Sequence, residues 1–92
     1  MTESGAGSSP YVFEFEFSSP AARAVTEWPE AVRDLMIEAC LRAAPDPWSA
    51  PIYREDGDPR SRVMPFGGVG WIRFWIDEKE RRCYVIGVGW MG

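Results

Sequence analysis

The sequence contains no histidine and only two cysteines, Cys40 and Cys83. Zinc sites use histidine and cysteine at short spacings, and no Cys-x-x-Cys or Cys/His spacing is present, so a zinc site is excluded. Without histidine, a Ser/His/Asp or Cys/His catalytic set is excluded as well. The two cysteines lie in a helical and a strand pattern, which favours two reduced, buried thiols over a disulfide. We therefore expect no metal and no cofactor.

Long apolar segments are also missing. No run of about 18 apolar residues occurs, and no basic segment precedes an apolar stretch near the N-terminus. These absences predict a cytoplasmic protein that has neither a membrane span nor a secretory signal.

Two glycine-containing motifs suggest ligand sites but are better explained as turns. Asp56-Gly57-Asp58 lacks the alternating oxygen ligands and the terminal glutamate of a calcium loop. Gly67-Gly68-Val69-Gly70 joins two strand patterns and opens no helix, so it does not match a phosphate-binding loop. We expect an ordinary loop turn and a hairpin turn, respectively.

The chain has an excess of acidic residues, with a net charge of −4. This balance disfavours a domain that binds nucleic acid mainly through phosphate contacts. The excess is uneven, because residues 1–53 hold three basic and eight acidic side chains, whereas residues 54–92 hold seven and six. The second half can therefore still present a local basic surface.

Size and composition allow one folded unit. Hydrophobic residues make up 46% of the 92 residues and aromatic residues 14%, which is enough for one core but leaves no room for two. Residues 1–10 are small and polar and are predicted to form a loose tail. Residues 11–92 are predicted to form a single domain.

The order of local patterns predicts an α+β fold. Residues 11–17 alternate as a strand, and Ser18 with Pro20 marks the start of a short helix that ends near Trp28. A second helix is expected over 29–43, followed by a loop over 45–59 that contains four prolines. Strands are expected over 60–66, 70–77 and 82–90. The order is β-α-α-β-β-β, with a helical hairpin on one face of a mostly antiparallel four-stranded sheet.

Side-chain periodicity predicts the contents of each face. The buried face of the second helix is expected to centre on Leu35, so Leu35→Ala should cost about 2 to 5 kcal/mol. Its other members are Ala31, Val32, Met36, Ala39, Cys40 and Ala43. On the sheet, the helices should cover Phe13, Phe15, Ile72, Phe74 and Ile76. The opposite, open face should then collect Glu14, Glu16, Arg60, Arg62, Trp71, Arg73 and Trp75.

This open face has two interpretations. Its arginines either bind a phosphate or an acidic segment, or they form solvated ion pairs with Glu14 and Glu16. Its tryptophans either anchor a partner or stack on bases, or they are covered by the loop over 45–59, which would bring Trp48 and Tyr53 close to them.

The helical segment FSSPAARAVTEWPEAVRDLMIEACLRAAPDPW resembles the opening of toxins of the RelE/ParE superfamily. Both have a strand that ends in an aromatic residue, a short helix, an aromatic or leucine corner, and a longer helix that closes on an Asp-Pro step. Residues 71–79 are similar to the third strand and turn of that superfamily. Residues 84–89 are similar to its last strand. The resemblance covers residues 11–90.

This resemblance implies a toxin of a toxin–antitoxin pair, with an antitoxin protein as partner. RelE-like members cut messenger RNA on the ribosome, whereas ParE-like members act on DNA gyrase. In RelE-like members, basic side chains on the open sheet face stabilise the scissile phosphate, and a C-terminal residue assists proton transfer. Carried over to this chain, the candidate catalytic residues are Arg62, Arg73 and Tyr84. The candidate binding residues are Arg60, Arg62, Trp71, Arg73, Trp75 and Trp90.

The chain departs from the RelE-like pattern at its C-terminal end. Trp90-Met91-Gly92 supplies no acid or base, and arginine is a poor base at neutral pH. The departure favours a toxin that binds a protein partner through its open sheet face. The alternative is a ribosome-dependent messenger RNA endonuclease that uses Arg62 and Arg73.

Overall fold

The computed structural model of the chain describes residues 12–91. The tail predicted over residues 1–10 lies outside the described residues, as does Tyr11 at the start of the first predicted strand. The elements in chain order are β1 (Glu14–Phe17), α1 (Ser19–Thr26), α2 (Glu30–Ala43), β2 (Ser61–Phe66), β3 (Gly70–Asp77) and β4 (Arg82–Trp90). Short 3₁₀ turns at Pro47–Ser49 and Arg54–Asp56 interrupt the long loop between α2 and β2.

The four strands form one mixed sheet in the order β1-β4-β3-β2. β2, β3 and β4 make an antiparallel meander, and β1 adds to β4 in parallel. The parallel pairing follows from the helical hairpin, which carries the chain back across the sheet before the meander begins. The predicted α+β fold and its element order are confirmed.

Local signals place the helix ends. The Ser18 hydroxyl accepts a hydrogen bond from the backbone N–H of Ala21 at 3.3 Å, and Pro20 lies in the first turn of α1, where its missing N–H costs little. Pro29 immediately precedes α2. Both helices therefore start where the sequence predicts.

The core lies between the two helices and one face of the sheet. Ile72, Phe74 and Ile76 of β3 are fully buried there, and the rings of Phe15 and Phe74 meet edge to face at 5.2 Å. Phe13 is also buried, and its N–H donates to the carbonyl of Ala44 at 2.9 Å. The assignment of these side chains to the helix face is confirmed.

The buried face of α2 differs from the predicted one. Met36 lies near its centre at 3% exposure, whereas Leu35 lies at its border at 37% exposure, beside the β2–β3 turn at Gly67. Ala31 is exposed. The prediction that Leu35 centres this face is wrong, because α2 sits rotated toward the stripe formed by Val32, Met36, Ala39 and Cys40.

Cys40 and Cys83 are both buried free thiols. Burial raises the pKa of each thiol to about 12, because a thiolate loses its hydration there. Within residues 12–91, no helix combines the length and apolar character that crossing a membrane requires.

Candidate functional site

The strand register decides which side chains reach the open face, because directly paired residues share a face. β3 lies inside the sheet, and its Trp71, Arg73 and Trp75 point to the face away from the buried Ile72 and Phe74. Their partners on the neighbouring strands place the rest of the open face, which comprises Glu14, Glu16, Ser61, Val63, Pro65, Asp77, Arg82, Tyr84, Gly87 and Gly89.

Arg62 does not lie on the open face. It pairs with the buried Phe74 and therefore points to the helix side of β2, at the edge of the sheet. Its guanidinium donates hydrogen bonds of 2.6 to 3.1 Å to the carbonyl oxygens of Trp48, Ala50 and Pro59. The predicted placement is wrong because Met64 and Phe66, and not Val63, supply the buried side of β2.

Trp90 also lies away from the open face. It pairs with Gly70 and packs, partly buried, against the hydrophobic core. Adjacent residues of a strand point to opposite faces, and Gly89 pairs with Trp71 on the open face, so Trp90 points to the other side. The register thus separates Trp90 from the other tryptophans proposed for binding.

Arg60 reaches the open face from the turn before β2. Its guanidinium lies over the Trp75 ring, 4.4 Å from the ring centroid, and its Nε donates to Oδ1 of Asp58 at 3.3 Å. Oδ2 of Asp58 accepts the indole N–H of Trp75 at 3.0 Å. Trp75 is therefore covered by a cation and held by a carboxylate, both from the loop.

Asp58 is an ionised structural acceptor. The backbone N–H of Arg60, the indole of Trp75 and the side chain of Arg60 lower its pKa to about 2, because all three donate to the charged form. Asp56 begins the same turn, accepting the N–H of Asp58 at 3.0 Å. The turn at Asp56-Gly57-Asp58 was predicted, but its contribution to the open face was not.

Arg73 occupies the centre of the open face. Its guanidinium stacks on Tyr53 at 4.3 Å from the ring centroid, and its terminal nitrogen lies 3.8 Å from Oδ2 of Asp56. Its Nε is buried without a hydrogen-bond partner among the described residues. The expected ion pairing of the face arginines with Glu14 and Glu16 does not occur for Arg73, whose acidic partner comes from the loop.

Trp71 is the exposed aromatic residue of the face, at 44%. Its indole lies flat on β4, because a Cβ at Gly89 would come within 2.6 Å of the ring and one at Gly87 within 3.5 Å. The Gly87-Val88-Gly89 segment of β4 therefore makes room for an aromatic platform. Trp71 is uncovered, whereas Trp75 is shielded by the loop, so each interpretation of the tryptophans applies to one of them.

Tyr84 shares the open face with Trp75, the two ring centroids being 6.3 Å apart. Beside it, Arg82 donates to Glu16 at 2.6 Å, so the β1 edge holds a local ion pair. Of the residues proposed for catalysis, Arg73 and Tyr84 share a face and Arg62 lies on the other one.

The ionisable side chains of the open face are carboxylates, arginines and tyrosines. The chain has no histidine, and the pKa of Asp58 lies far below neutrality. The pKa of Tyr53 is raised, chiefly because its hydroxyl donates to Glu55 at 3.0 Å. Within residues 12–91, no group of three or more acidic or cysteine side chains is arranged to hold a metal ion. The arrangement is suited to binding anions and apolar side chains.

The solved structure of the isolated RelE toxin of Escherichia coli is similar to this chain, with a TM-score of 0.66 over 87% of this chain and 85% of that one. The chain has the RelE toxin fold. Sequence identity is 14%, so the likeness concerns the fold. No protein-family profile and no curated protein sequence matches the chain. The RelE-like fold agrees with the resemblance found in the sequence.

Proposed function

We propose that this protein is the cytoplasmic toxin of a toxin–antitoxin pair and acts by binding a protein partner through the open face of its sheet. The RelE-like fold supports the toxin assignment. An antitoxin is the expected inhibitory partner, and DNA gyrase is a candidate target. Function is argued from the site, because one fold hosts several activities.

The observation that carries the proposal is that Trp71 and Arg73 lie side by side on the open face of β3. Trp71 is an exposed platform, and Arg73 is a cation at the next position on the same face. Tryptophan and arginine are the residues that most often dominate binding at protein interfaces. A face with such anchors and without histidine favours binding over bond cleavage.

The alternative, a ribosome-dependent messenger RNA endonuclease, has less support. It requires Arg62 and Arg73 to act on one phosphate, and these side chains lie on opposite faces. Nucleolytic attack by a ribose hydroxyl also needs a base and an acid near the reacting atoms. Tyr84 is the one proposed proton-transfer group on the face, and Tyr84 by itself cannot fill both roles.

Controlled expression in bacteria tests the proposal. The wild-type chain should arrest growth, and Arg73→Glu should relieve the arrest while keeping a native circular-dichroism spectrum. Arg42→Glu is the matched control, because Arg42 is an exposed arginine on α2, and it should still arrest growth. An Arg73→Glu variant that folds and retains full toxicity would show that the open face is not the site.

Mapping of RNA 5′ ends separates the two mechanisms. During wild-type arrest we expect the distribution of messenger RNA ends to match that of uninduced cells. New ends that depend on Arg73 would contradict the binding mechanism and support the endonuclease.

A further inference from the structure

Arg73 differs from the neighbouring arginines in how its donors are used. Arg62 is hydrogen-bonded to three carbonyl oxygens, and Arg60 is hydrogen-bonded to Asp58. The guanidinium of Arg73 makes no hydrogen bond within the described residues, and its Nε is buried without a partner. A guanidinium has five N–H donors in a planar fork that fits a carboxylate in two parallel hydrogen bonds. The terminal nitrogens of this partly exposed side chain therefore keep donors for a ligand, whereas Arg62 and Arg60 have used theirs.

The ion pair between Arg73 and Asp56 is weak. Asp56 approaches at 3.8 Å, beyond hydrogen-bond distance, and both side chains are about one-third exposed, at 31% and 33%. Ion pairs of this kind contribute little to stability. Asp56 also belongs to a turn that reverses at Gly57. The backbone of Gly57 is left-handed, and no atom would lie within 4 Å of a Cβ added there. Asp56 thus offsets the charge of Arg73 but accepts no hydrogen bond from the guanidinium.

We infer that Arg73 is the binding site for a carboxylate of an extended segment in the protein partner, and that Asp56 is a built-in competitor which this carboxylate displaces. The inference rests on the proposed function and specifies the chemistry of the partner. Trp71 supplies the second contact, because it lies two residues before Arg73 on the same face. Such neighbours are about 7 Å apart, as are alternate side chains of an extended peptide. The matching segment carries an acidic residue two positions from an apolar one.

The charges of the face favour a single carboxylate over a nucleic-acid strand. Asp56 and Asp58 project from the loop, Asp77 ends β3, and Glu14 and Glu16 line β1. A polyphosphate backbone would place successive charges against these carboxylates, in a chain whose net charge is already −4. A single carboxylate at Arg73 would take the place of Asp56, the carboxylate that pairs with Arg73 within the described residues.

A defined peptide tests the inference. The probe is the acetylated and amidated heptapeptide Ser-Leu-Ser-Asp-Ser-Leu-Ser, titrated into the full chain while the tryptophan indole resonances are followed by NMR. Asp56→Asn should bind it about three- to tenfold more tightly than wild type, because the competing charge is gone. Arg73→Gln should lose binding. Asp34→Asn removes the same charge from the exposed surface of α2 and should bind as wild type does.

Several results would overturn the inference. The first is that Asp56→Asn and Asp34→Asn change peptide affinity equally, and the second is that a peptide with Asn in place of its Asp binds as tightly as the original. The third is that no variant of the protein binds the peptide. The fourth is that a heptauridylate strand binds more tightly than the peptide does. The growth assay remains separate. If Arg73→Glu relieves toxicity while Asp56→Asn leaves peptide affinity unchanged, the proposed function stands and the competitor role of Asp56 fails.

Discussion

At the scale of single residues, the fold distinguishes side chains of the same type by how it engages their polar atoms. Arg62 and Arg73 lie on adjacent strands. The Arg62 guanidinium joins both ends of the loop by donating to the carbonyl oxygens of Trp48 and Pro59, whereas the Arg73 side chain contacts the loop through Tyr53 and Asp56. The partly buried carbonyls of Trp48 and Ala50 become costly when they lose a donor, whereas a partly solvated ion pair is easily replaced by water. The two arginines should therefore differ sharply in their effect on stability.

Replacement of Arg62 by alanine should lower the free energy of unfolding by about 2 to 4 kcal/mol, because the carbonyls of Trp48, Ala50 and Pro59 lose their donor. Arg73→Ala should cost about 1 kcal/mol or less. Urea denaturation at neutral pH measures both, with Arg42→Ala as the exposed control at about 0.5 kcal/mol or less. Equal costs for Arg62 and Arg73 would show that the loop is not held by Arg62.

We expect the two glycines under Trp71 to differ in how well they tolerate replacement by alanine. Gly89→Ala should destabilise the fold by about 1 to 3 kcal/mol and shift the indole resonance of Trp71, because the new Cβ overlaps the ring. Gly87→Ala places its Cβ at an ordinary contact distance and should change stability by about 0.5 kcal/mol or less. Urea denaturation and indole NMR report both effects. An unmoved Trp71 resonance in Gly89→Ala would mean that the ring does not rest on β4.

At the scale of elements, local sequence sets where helices and strands begin, and packing sets how they are turned. Ser18 and Pro29 precede α1 and α2 as expected. The orientation of α2 depends on the sheet beneath it and on the loop that follows, which together bury Met36 and leave Leu35 at the border. Periodicity identifies an amphipathic helix, but a broad apolar stripe such as this one does not fix its centre.

Truncation of α2 side chains distinguishes the two possible centres. Met36→Ala should cost about 2 to 5 kcal/mol, because it leaves a cavity under the helix. Leu35→Ala should cost about 1 kcal/mol, less than the sequence alone suggested, since water already reaches the side chain. Denaturant midpoints that rank these two variants in the reverse order would restore Leu35 as the centre.

At the scale of the whole molecule, two carboxylates of the long loop attach the loop to the open face of β3. Asp58 links the turn at Arg60 to Trp75 of β3, and Asp56 reaches Arg73. The acidic residues of the loop thereby pair with two of the seven basic residues of the second half, Arg60 and Arg73. Because these contacts rely on ionised carboxylates, the stability of this region should depend on pH.

The contribution of Asp58 should be lost in acid. Its pKa in the fold is about 2, below the ordinary value of 3.8, so the folded state binds its proton less readily than the unfolded state. The stabilisation is therefore complete above about pH 4 and disappears as the pH falls toward about 2. Urea denaturation of the wild type and Asp58→Asn should show a difference at pH 7 that shrinks below about pH 4. A difference that stays constant down to pH 2 would refute this role, and Asp34→Asn serves as the control.

Much of the fold followed from local patterns in the sequence. The alternation of residues 71–77 defines a strand with one apolar face, the capping signals define two helices, and their order leaves few ways to cover a single sheet. Parts of the site were also predictable, since Trp71, Arg73 and Trp75 lie on one face by alternation alone. The positions of Met64 and Phe66 carried the signal that Arg62 belongs to the buried side, and the bulk of these two side chains outweighs that of Val63.

Only the tertiary structure decided what covers the open face. The loop before β2 runs beside the sheet edge, where Tyr53 donates its N–H to the carbonyl of Ser61 at 2.8 Å, and then folds across the face to bring Asp56 and Asp58 to Arg73 and Trp75. Periodicity carries no information about such a segment, because its conformation has no repeat. The identity of the exposed aromatic and of the available arginine depends on contacts between residues far apart in the chain, and these exist only after the sheet has formed.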